Sequence, residues 1–163
     1  MGDKKKRILI VDDDKAILQS LKGILEEEGY DVDTVETGRE AMEKAEKNFY
    51  NLAFLDIRLQ DIDGTELLAK MHNWTPRTMK VMITGYASLE NAVKSLNLGA
   101  DAYITKAIDP EELLKVVSEK LKEQEDAEKM SEEKMATWIE TRVRKLEQGY
   151  NKGNNERTES QPI

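Results

Sequence analysis

Five short apolar runs alternate with five helical patterns in the first part of the chain, and this alternation most constrains the fold. The first run, Arg7–Val11, is followed by apolar residues at helical spacing until Gly29. Alternating strands and helices predict a parallel sheet with helices on both faces and right-handed crossovers. We therefore expect a doubly wound, five-stranded α/β domain. The other four apolar runs centre on residues 32–35, 52–55, 81–83 and 102–104.

A change in composition divides the chain near residue 122. Of the last 45 residues, 20 are charged and few are large and apolar, so this part cannot build a core of its own. About 120 residues is an ordinary size for one domain. We expect an α/β domain at residues 1–122, a helical extension at 123–150 and a disordered tail at 151–163.

The extension contains an amphipathic helical pattern. Ser131, followed by Glu132 and Glu133, is typical of an N-cap and an acidic first turn, and Gly149 can end a helix. This helix is either separate from the fifth helix of the domain or continuous with it. Its apolar stripe predicts a partner, which is the domain's own surface, a second copy or another protein. The stripe consists of Met135, Trp138, Ile139, Val143, Leu146 and Tyr150.

Composition excludes several classes of function. The chain has no cysteine, so we expect no disulfide framework, thiolate metal site or cysteine nucleophile. Its one histidine argues against a multi-histidine metal site. The net charge of −8 argues against nucleic acid as a partner. No apolar run is long enough to span a bilayer, so we expect no membrane association and a cytoplasmic location.

Chemically active side chains follow the predicted strands where those strands end. Asp12 and Asp13 follow the first strand, Asp56 ends the third, Thr84 ends the fourth and Lys106 follows the fifth. Ligands of open parallel sheets bind outside the carboxyl ends of the strands. We therefore expect these five residues to share one edge of the sheet.

These residue types suit magnesium and phosphate chemistry. Clustered carboxylates repel one another unless a cation neutralises them, and hard oxygen ligands suit Mg²⁺. A carboxylate can act as a nucleophile toward phosphorus and form an acyl phosphate. A lysine ammonium and a threonine hydroxyl can then hold the added phosphoryl oxygens. The pattern predicts a Mg²⁺ and phosphoryl site.

The chain resembles the receiver domain of two-component response regulators from about Lys6 to Lys122. The resemblance implies that Asp56 accepts a phosphoryl group from a histidine kinase or a phosphotransfer protein. It also implies that Asp12, Asp13, Asp56 and the backbone carbonyl of Arg58 hold Mg²⁺. The motifs are Ile8-Leu9-Ile10-Val11-Asp12-Asp13-Asp14, Leu55-Asp56-Ile57-Arg58-Leu59, Asp63-Gly64, Ile83-Thr84-Gly85-Tyr86 and Tyr103-Ile104-Thr105-Lys106.

The resemblance also implies a switch. Lys106 binds the phosphoryl group, Thr84 closes on it, and Tyr103 rotates inward in the active domain. The face formed by the fourth helix, fifth strand and fifth helix carries the output to a downstream protein. The extension is too short for a winged-helix domain, so we expect a signalling switch or relay intermediate without DNA-binding or enzymatic output. Its only chemistry would be self-phosphorylation and slow self-dephosphorylation on Asp56.

Three positions depart from the common receiver pattern. Many receivers have proline where Gln60 stands, and most have proline where Ala107 follows the lysine. That Lys–Pro bond is typically cis, and because a cis bond before alanine costs about 3 kcal/mol, we expect a trans bond or a strained cis bond here. Bulky Tyr86 is the third departure. By resemblance, Tyr86 and Arg58 flank the phosphoryl site and influence its hydrolysis.

A rival motif suggests a different class of protein. The segment Asp61–Thr65 resembles the D-x-D-G-T nucleophile motif of haloacid-dehalogenase-type phosphatases, which also use Mg²⁺, a downstream Thr and a downstream Lys. Such an enzyme would use Asp61 and Asp63. However, Asp61 does not directly follow an apolar strand, and that family's second acidic pair should follow the lysine. A receiver-like interaction module that no longer takes phosphate is a third alternative.

Overall fold

The computed structural model describes residues 4–85 and 88–159, with side chains described as far as residue 151. Five strands and five helices alternate through this part of the chain. The predicted α/β class is confirmed. The elements are β1 (Arg7–Val11), α1 (Lys15–Glu27), β2 (Asp31–Val35), α2 (Gly38–Lys47), β3 (Leu52–Asp56), α3 (Gly64–Trp74), β4 (Met79–Thr84), α4 (Leu89–Asn97), β5 (Ala102–Thr105) and α5 (Pro110–Glu159).

All five strands form one parallel sheet in the order β2-β1-β3-β4-β5. The chain reverses its direction across the sheet between β1 and β3, which is where a doubly wound fold opens a crevice at the strand ends. Asp56 and Thr84 are the last residues of β3 and β4. In the described part of the chain, no helix is both long and apolar enough to cross a bilayer.

Each face of the sheet is covered by helices. Because side chains alternate along a strand, Ile8 and Ile10 of β1 point to one face, while Leu9 and Val11 point to the other. The first face packs against α1 and α5, and the second packs against α2 and α3. All four of these β1 side chains are almost fully buried. The unbroken apolar run from Ile8 to Val11 follows from burial on both faces.

Helix α1 begins at Lys15 because Asp14 caps its amino end. The Asp14 carboxylate accepts hydrogen bonds from the backbone N–H groups of Ala16 and Ile17 at 3.0 and 3.4 Å. At the other end, Gly29 has a φ of +95° and terminates the helix as the sequence predicts. Neighbouring acids after β1 therefore have different roles. Asp14 caps α1, whereas Asp12 faces the carboxyl edge of the sheet.

The chain comprises two units, Met1–Gln124 and Glu125–Ile163. The second unit is helical through Glu159, where α5 ends. Of the two alternatives that the sequence left open, the structure has the continuous helix. The residues around Ser131 are strong helix formers without Gly or Pro, so nothing interrupts α5. The predicted disordered segment 151–163 overlaps the end of α5 and stays a prediction. Residues 160–163 of that segment lie outside the described residues.

Candidate functional site

The carboxyl edge of the sheet brings together side chains from β1, β3 and β5. Asp12 is 2% exposed and Asp56 is 4% exposed, so both carboxylates lie at the floor of the site. Lys106 reaches them from the end of β5. Its Nζ atom lies 3.1 Å from Oδ2 of Asp56 and 3.2 Å from Oδ2 of Asp12. The sequence predicted this convergence from topology alone, although the three residues are far apart in the chain.

Backbone N–H groups complete the surroundings of the two buried carboxylates. The N–H of Asp14 donates to Oδ1 of Asp12 at 2.9 Å. The N–H of Arg58 donates to Oδ1 of Asp56 at 3.3 Å. In Asp56, Oδ1 faces the backbone and Oδ2 faces the lysine, whereas Lys106 Nζ lies 3.2 Å from Oδ2 and 3.5 Å from Oδ1 of Asp12. The geometry therefore leaves Oδ2 of Asp56 beside a cation, where developing negative charge is stabilised.

Three carboxylates are close enough to share a metal ion. Asp12, Asp13 and Asp56 each offer an oxygen, and these oxygens all lie within 4.8 Å of one another. Asp13 is exposed, so the cluster is open to solvent on one side. Hard carboxylate oxygens with room for water are the donor set that Mg²⁺ prefers. The residues present therefore fit the magnesium site that the sequence predicted.

The charges of the site shift the pKa values of its members. Burial raises the pKa of Asp12, and the nearby carboxylate of Asp56 raises it further. The N–H of Asp14 and the charge of Lys106 act in the opposite direction. Burial would lower the pKa of Lys106, but its hydrogen bonds and attraction to both aspartates leave this pKa above its usual range. Lys106 is therefore a fixed cation beside Asp12, whose charged form is disfavoured by burial.

The strand register places Thr84 beside this cluster. Asp56 is opposite Ile83 in the β3–β4 pairing, and Thr84 is opposite Thr105 in the β4–β5 pairing. Thr84 is fully buried, and its carbonyl accepts a hydrogen bond from the N–H of Lys106 at 2.7 Å. Backbone hydrogen bonding thus joins the end of β4 to the residue that contacts Asp56.

Tyr103 lies on β5 opposite Met82 and packs, half-buried, against the second core cluster. It lies three residues before Lys106, near the start of the strand whose end leads to Lys106. The predicted site residues consequently fall into two groups. Asp12, Asp13, Asp56 and Lys106 form the cluster, whereas Thr84 and Tyr103 lie on the adjoining strands.

Gly64 has a steric role at the end of β3 that its motif in the sequence does not show by itself. A Cβ atom at this position would collide with the backbone carbonyl of Asp56 and with the Cα atom of Ile57. The N–H of Gly64 donates to the carbonyl of Ile57 at 2.6 Å. Helix α3 can therefore begin directly against the end of β3 only because this residue lacks a side chain. In the sequence, this role is indicated by the Asp63-Gly64 pair directly before a helical pattern.

The two aspartates of the rival phosphatase motif serve helix ends. Asp61 accepts hydrogen bonds from the N–H groups of Gly38 and Arg39, both at 2.9 Å. Asp63 is the N-cap of α3 and accepts from the N–H and hydroxyl of Thr65 at 2.8 and 2.7 Å. These hydrogen bonds lower the pKa of both aspartates. Both carboxylates therefore have structural partners on helices, and neither belongs to the carboxylate cluster of the described residues.

Of the three positions that depart from the common receiver pattern, the structure describes Ala107 and Gln60. The bond between Lys106 and Ala107 is trans, and Ala107 adopts a φ of +72°. Gln60 is exposed in the loop after β3. Tyr86 lies outside the described residues, so its predicted influence on hydrolysis stays a prediction, as does that of exposed Arg58.

Residues 8–118 match the family model of the response regulator receiver domain. The chain belongs to this family. A CheY-like receiver domain protein from Methanospirillum hungatei is 57% identical, with a TM-score of 0.74, and the match covers 76% of this chain and 99% of that structure. The predicted flavodoxin-like receiver fold is confirmed.

Two curated relatives of this receiver domain are much longer proteins. The alginate biosynthesis transcriptional regulatory protein AlgB of Pseudomonas putida is 35% identical over 111 residues, which are 68% of this chain and 25% of that protein. The cell cycle response regulator CtrA of Brucella ovis is 33% identical over 108 residues, which are 66% of this chain and 47% of that protein. The chain thus spans between a quarter and a half of these relatives' lengths.

Proposed function

We propose that this receiver domain is a phosphorylation-dependent switch or relay intermediate in two-component signalling and that Asp56 is its phospho-acceptor. The observation that supports this proposal best is the position of Lys106, whose Nζ contacts both Asp56 and Asp12 at the carboxyl edge of the sheet. A buried carboxylate beside a cation and two further acids suits phosphoryl transfer better than a purely structural role.

The transfer is a substitution at phosphorus. Oδ2 of Asp56 forms the new P–O bond, and the bond from phosphorus to the donor breaks with its electron pair leaving on the donor. With a phosphohistidine donor, that pair returns to the imidazole nitrogen. Lys106 lies 3.1 Å from this oxygen and stabilises the negative charge carried by the transferred group.

Asp12, Asp13 and Asp56, with the backbone carbonyl of Arg58, would hold Mg²⁺. When bound, this ion neutralises charge on the phosphoryl oxygens and on the clustered acids. Asp12 contributes a buried carboxylate that its Asp14 hydrogen bond keeps in place. Asp13 is exposed and contributes from the solvent side of the cluster.

Thr84 and Tyr103 would carry the signal away from Asp56. The phosphoryl group adds charge and three acceptor oxygens at the sheet edge, and the Thr84 hydroxyl would respond to them. The backbone hydrogen bond from Lys106 to Thr84 couples the ends of β4 and β5. Repositioning of Tyr103 on β5 would then alter the α4-β5-α5 face, which we propose as the contact surface for a downstream protein.

A histidine kinase or phosphotransfer protein would supply the phosphoryl group in the cytoplasm. Output through protein contact suits this sequence better than output through DNA, because its net charge is −8. AlgB is a transcriptional regulatory protein by name, and the chain matches only 25% of it. Self-phosphorylation and slow self-dephosphorylation would be the only chemistry of the receiver domain.

Intact-mass measurement after incubation with acetyl phosphate and Mg²⁺ tests the acceptor. We expect the wild-type chain to gain one phosphoryl group and Asp56→Asn to gain none. Asp61→Asn is the matched control, since it alters an aspartate of the same loop and should still be labelled. Omission of Mg²⁺ should slow labelling strongly.

Three results would contradict this function. Labelling of Asp56→Asn to the wild-type level would move the acceptor elsewhere. Steady phosphate release from phosphomonoesters that requires Asp61 would identify a phosphatase instead. A complete lack of labelling in the wild-type chain, with Mg²⁺ binding intact, would favour the phosphate-independent interaction module.

A further inference from the structure

Most of the exposed apolar residues of the extension lie along one face of α5, and exposed Met135 and Trp138 lie beside it. Every described side chain from Ser131 to Asn151 is exposed. Ile139, Val143 and Leu146 are 50%, 47% and 68% exposed, which is unusual for large aliphatic residues. Steps that alternate between three and four residues keep side chains on one face of a helix. The apolar seam consists of Ala136, Ile139, Val143, Leu146 and Tyr150.

The apolar seam has a defined beginning. Continuing its spacing toward the amino terminus leads to Glu132 and Lys129, which are charged. The seam therefore starts at Ala136 and reaches Tyr150, a length of about 21 Å at the rise of an α-helix. Two heptads bury a limited area, so the charged residues beside the seam have a large influence on what pairs with it.

The charges beside the apolar seam are arranged in a self-complementary way. Arg142 immediately precedes Val143, and Glu147 immediately follows Leu146, so they lie on opposite sides of the seam. In a parallel helix pair, a residue in the position of Arg142 meets the residue five places further along the partner. That residue is the partner's Glu147. The two-fold symmetry of a homodimer forms this ion pair twice.

An antiparallel pair has the opposite electrostatics. It brings the Arg142 side of one helix against the same side of the other, and the Glu147 side against its own equivalent. Glu140 lies on the Glu147 side and Lys145 lies beyond Arg142, so each side carries predominantly one sign of charge. Like charges that face each other destabilise the pair, which disfavours this orientation.

We propose that the extensions of two copies of this chain pair as a parallel two-stranded coiled coil through the apolar seam, with Arg142 against the partner's Glu147. This dimer goes beyond the signalling function proposed above and requires neither Asp56 nor phosphate. A second copy is the occupant whose charges match, because both members of each ion pair are encoded in the same helix.

Sedimentation equilibrium of the full chain tests the dimer. We expect a mass of twice 18.6 kDa for the wild type and of 18.6 kDa for Ile139→Lys. Trp138→Lys is the matched control, since Trp138 is the neighbouring residue, is 62% exposed and lies outside the apolar seam. This control should remain dimeric. A wild-type monomer at every concentration, or dissociation by both variants alike, would overturn the proposal.

Charge reversal tests the ion pairs. Arg142→Glu and Glu147→Arg should each weaken the homodimer by roughly tenfold, because two attractions become two repulsions. An equimolar mixture of the two single variants should form a heterodimer of about wild-type strength, because both pairs are then restored. Weakening without recovery in the mixture would exclude the proposed register.

Disulfide trapping tests the orientation in a chain that has no cysteine of its own. Ala136→Cys should oxidise to a covalent dimer, because a parallel pair places the two copies of residue 136 opposite each other. An antiparallel pair separates them by about 20 Å, so absence of the crosslink would reject the parallel arrangement. Asp56→Asn should dimerise like the wild type, which separates failure of this proposal from failure of the phosphoryl-acceptor proposal.

Discussion

Lys80 is a buried cation at the amino end of β4, remote from the carboxylate cluster. Its side chain is 1% exposed, and its Nζ donates to the carbonyl of Thr75 at 2.6 Å. Burial lowers the pKa of Lys80, while the charge of Asp101 partly opposes this effect. Burial therefore makes the charged form of Lys80 less stable in the folded chain than in the unfolded chain.

We predict that Lys80→Met stabilises the protein by about 1 kcal/mol at neutral pH, since methionine fills similar volume without a buried charge. The Thr75 carbonyl retains a hydrogen bond from the N–H of Thr78. As pH rises from the lowered pKa of Lys80 toward the unfolded value of 10.5, Lys80 loses its proton in the folded wild-type chain. The difference in stability between the variant and the wild type therefore shrinks. Urea denaturation at neutral and alkaline pH measures this change.

Exposed Lys115 provides the control for this prediction, because Lys115→Met should alter stability by less than about 0.5 kcal/mol at either pH. A less stable Lys80→Met protein at neutral pH would show that the Nζ hydrogen bond to Thr75 outweighs the burial of charge. Labelling of Asp56 by acetyl phosphate should be unaffected in both variants.

Ala107 is a strained residue next to the functional lysine. Its φ of +72° lies in the left-handed region, which costs a residue with a Cβ atom roughly 1 kcal/mol or more. Proline, with φ fixed near −65°, could not adopt this backbone. The sequence revealed the departure from the receiver pattern, but a single residue type does not determine which backbone conformation results.

At the scale of elements, the amino end of α2 shows how the loop after β3 is anchored. The N–H groups of Gly38 and Arg39 donate to Asp61, and the N–H of Glu40 donates to the side chain of Thr37. The N–H of Ala41 donates to the carbonyl of Thr37. The N–H groups of the first three residues of α2 thus have side-chain acceptors, two of them supplied by another loop, and the N–H of Ala41 makes the first intrahelical bond.

We predict that Asp61→Ala destabilises the fold by about 1 kcal/mol at neutral pH, because two backbone N–H groups lose their acceptor. The pKa of Asp61 is lowered from 3.8, so its contribution is present above that value and is lost as pH falls through the lower folded pKa. The free energies of unfolding of the wild type and the variant should therefore converge in strong acid. Labelling of Asp56 at neutral pH should be unaffected. Loss of labelling would give Asp61 a chemical role.

The strands were predictable because burial on both faces gives an unbroken apolar run, and Asp12 and Asp56 follow such runs directly. Parallel topology then placed their side chains at one edge. The role of Asp61 was not predictable, because its partners Gly38 and Arg39 belong to a distant segment. The sequence left open whether the extension helix is separate from α5, because Ser131 followed by two acids resembles an N-cap even where a helix already precedes it. In the structure the helix is continuous.

At the scale of the whole molecule, the hydrophobic core of the first unit is complete without the extension. Both core clusters consist of residues from Ile8 to Leu121. The exposed residues of the extension contribute to neither cluster. Folding of the receiver domain and pairing of the extension are therefore separable properties, and one truncation can test them together.

We predict that deletion of residues 131–163 leaves the stability of the receiver domain within about 0.5 kcal/mol of the full chain and produces a monomer. Mg²⁺ at a hundredfold excess over its dissociation constant should stabilise the full and truncated chains equally, by about 2.7 kcal/mol, because only the folded site binds the ion. Thermal unfolding with and without Mg²⁺, together with sedimentation equilibrium, measures both properties. Asp12→Ala should remove the Mg²⁺ effect in either length of chain. Failure of the truncated chain to fold would show that the two units depend on each other, whereas a dimer that survives truncation would show that pairing does not need the extension.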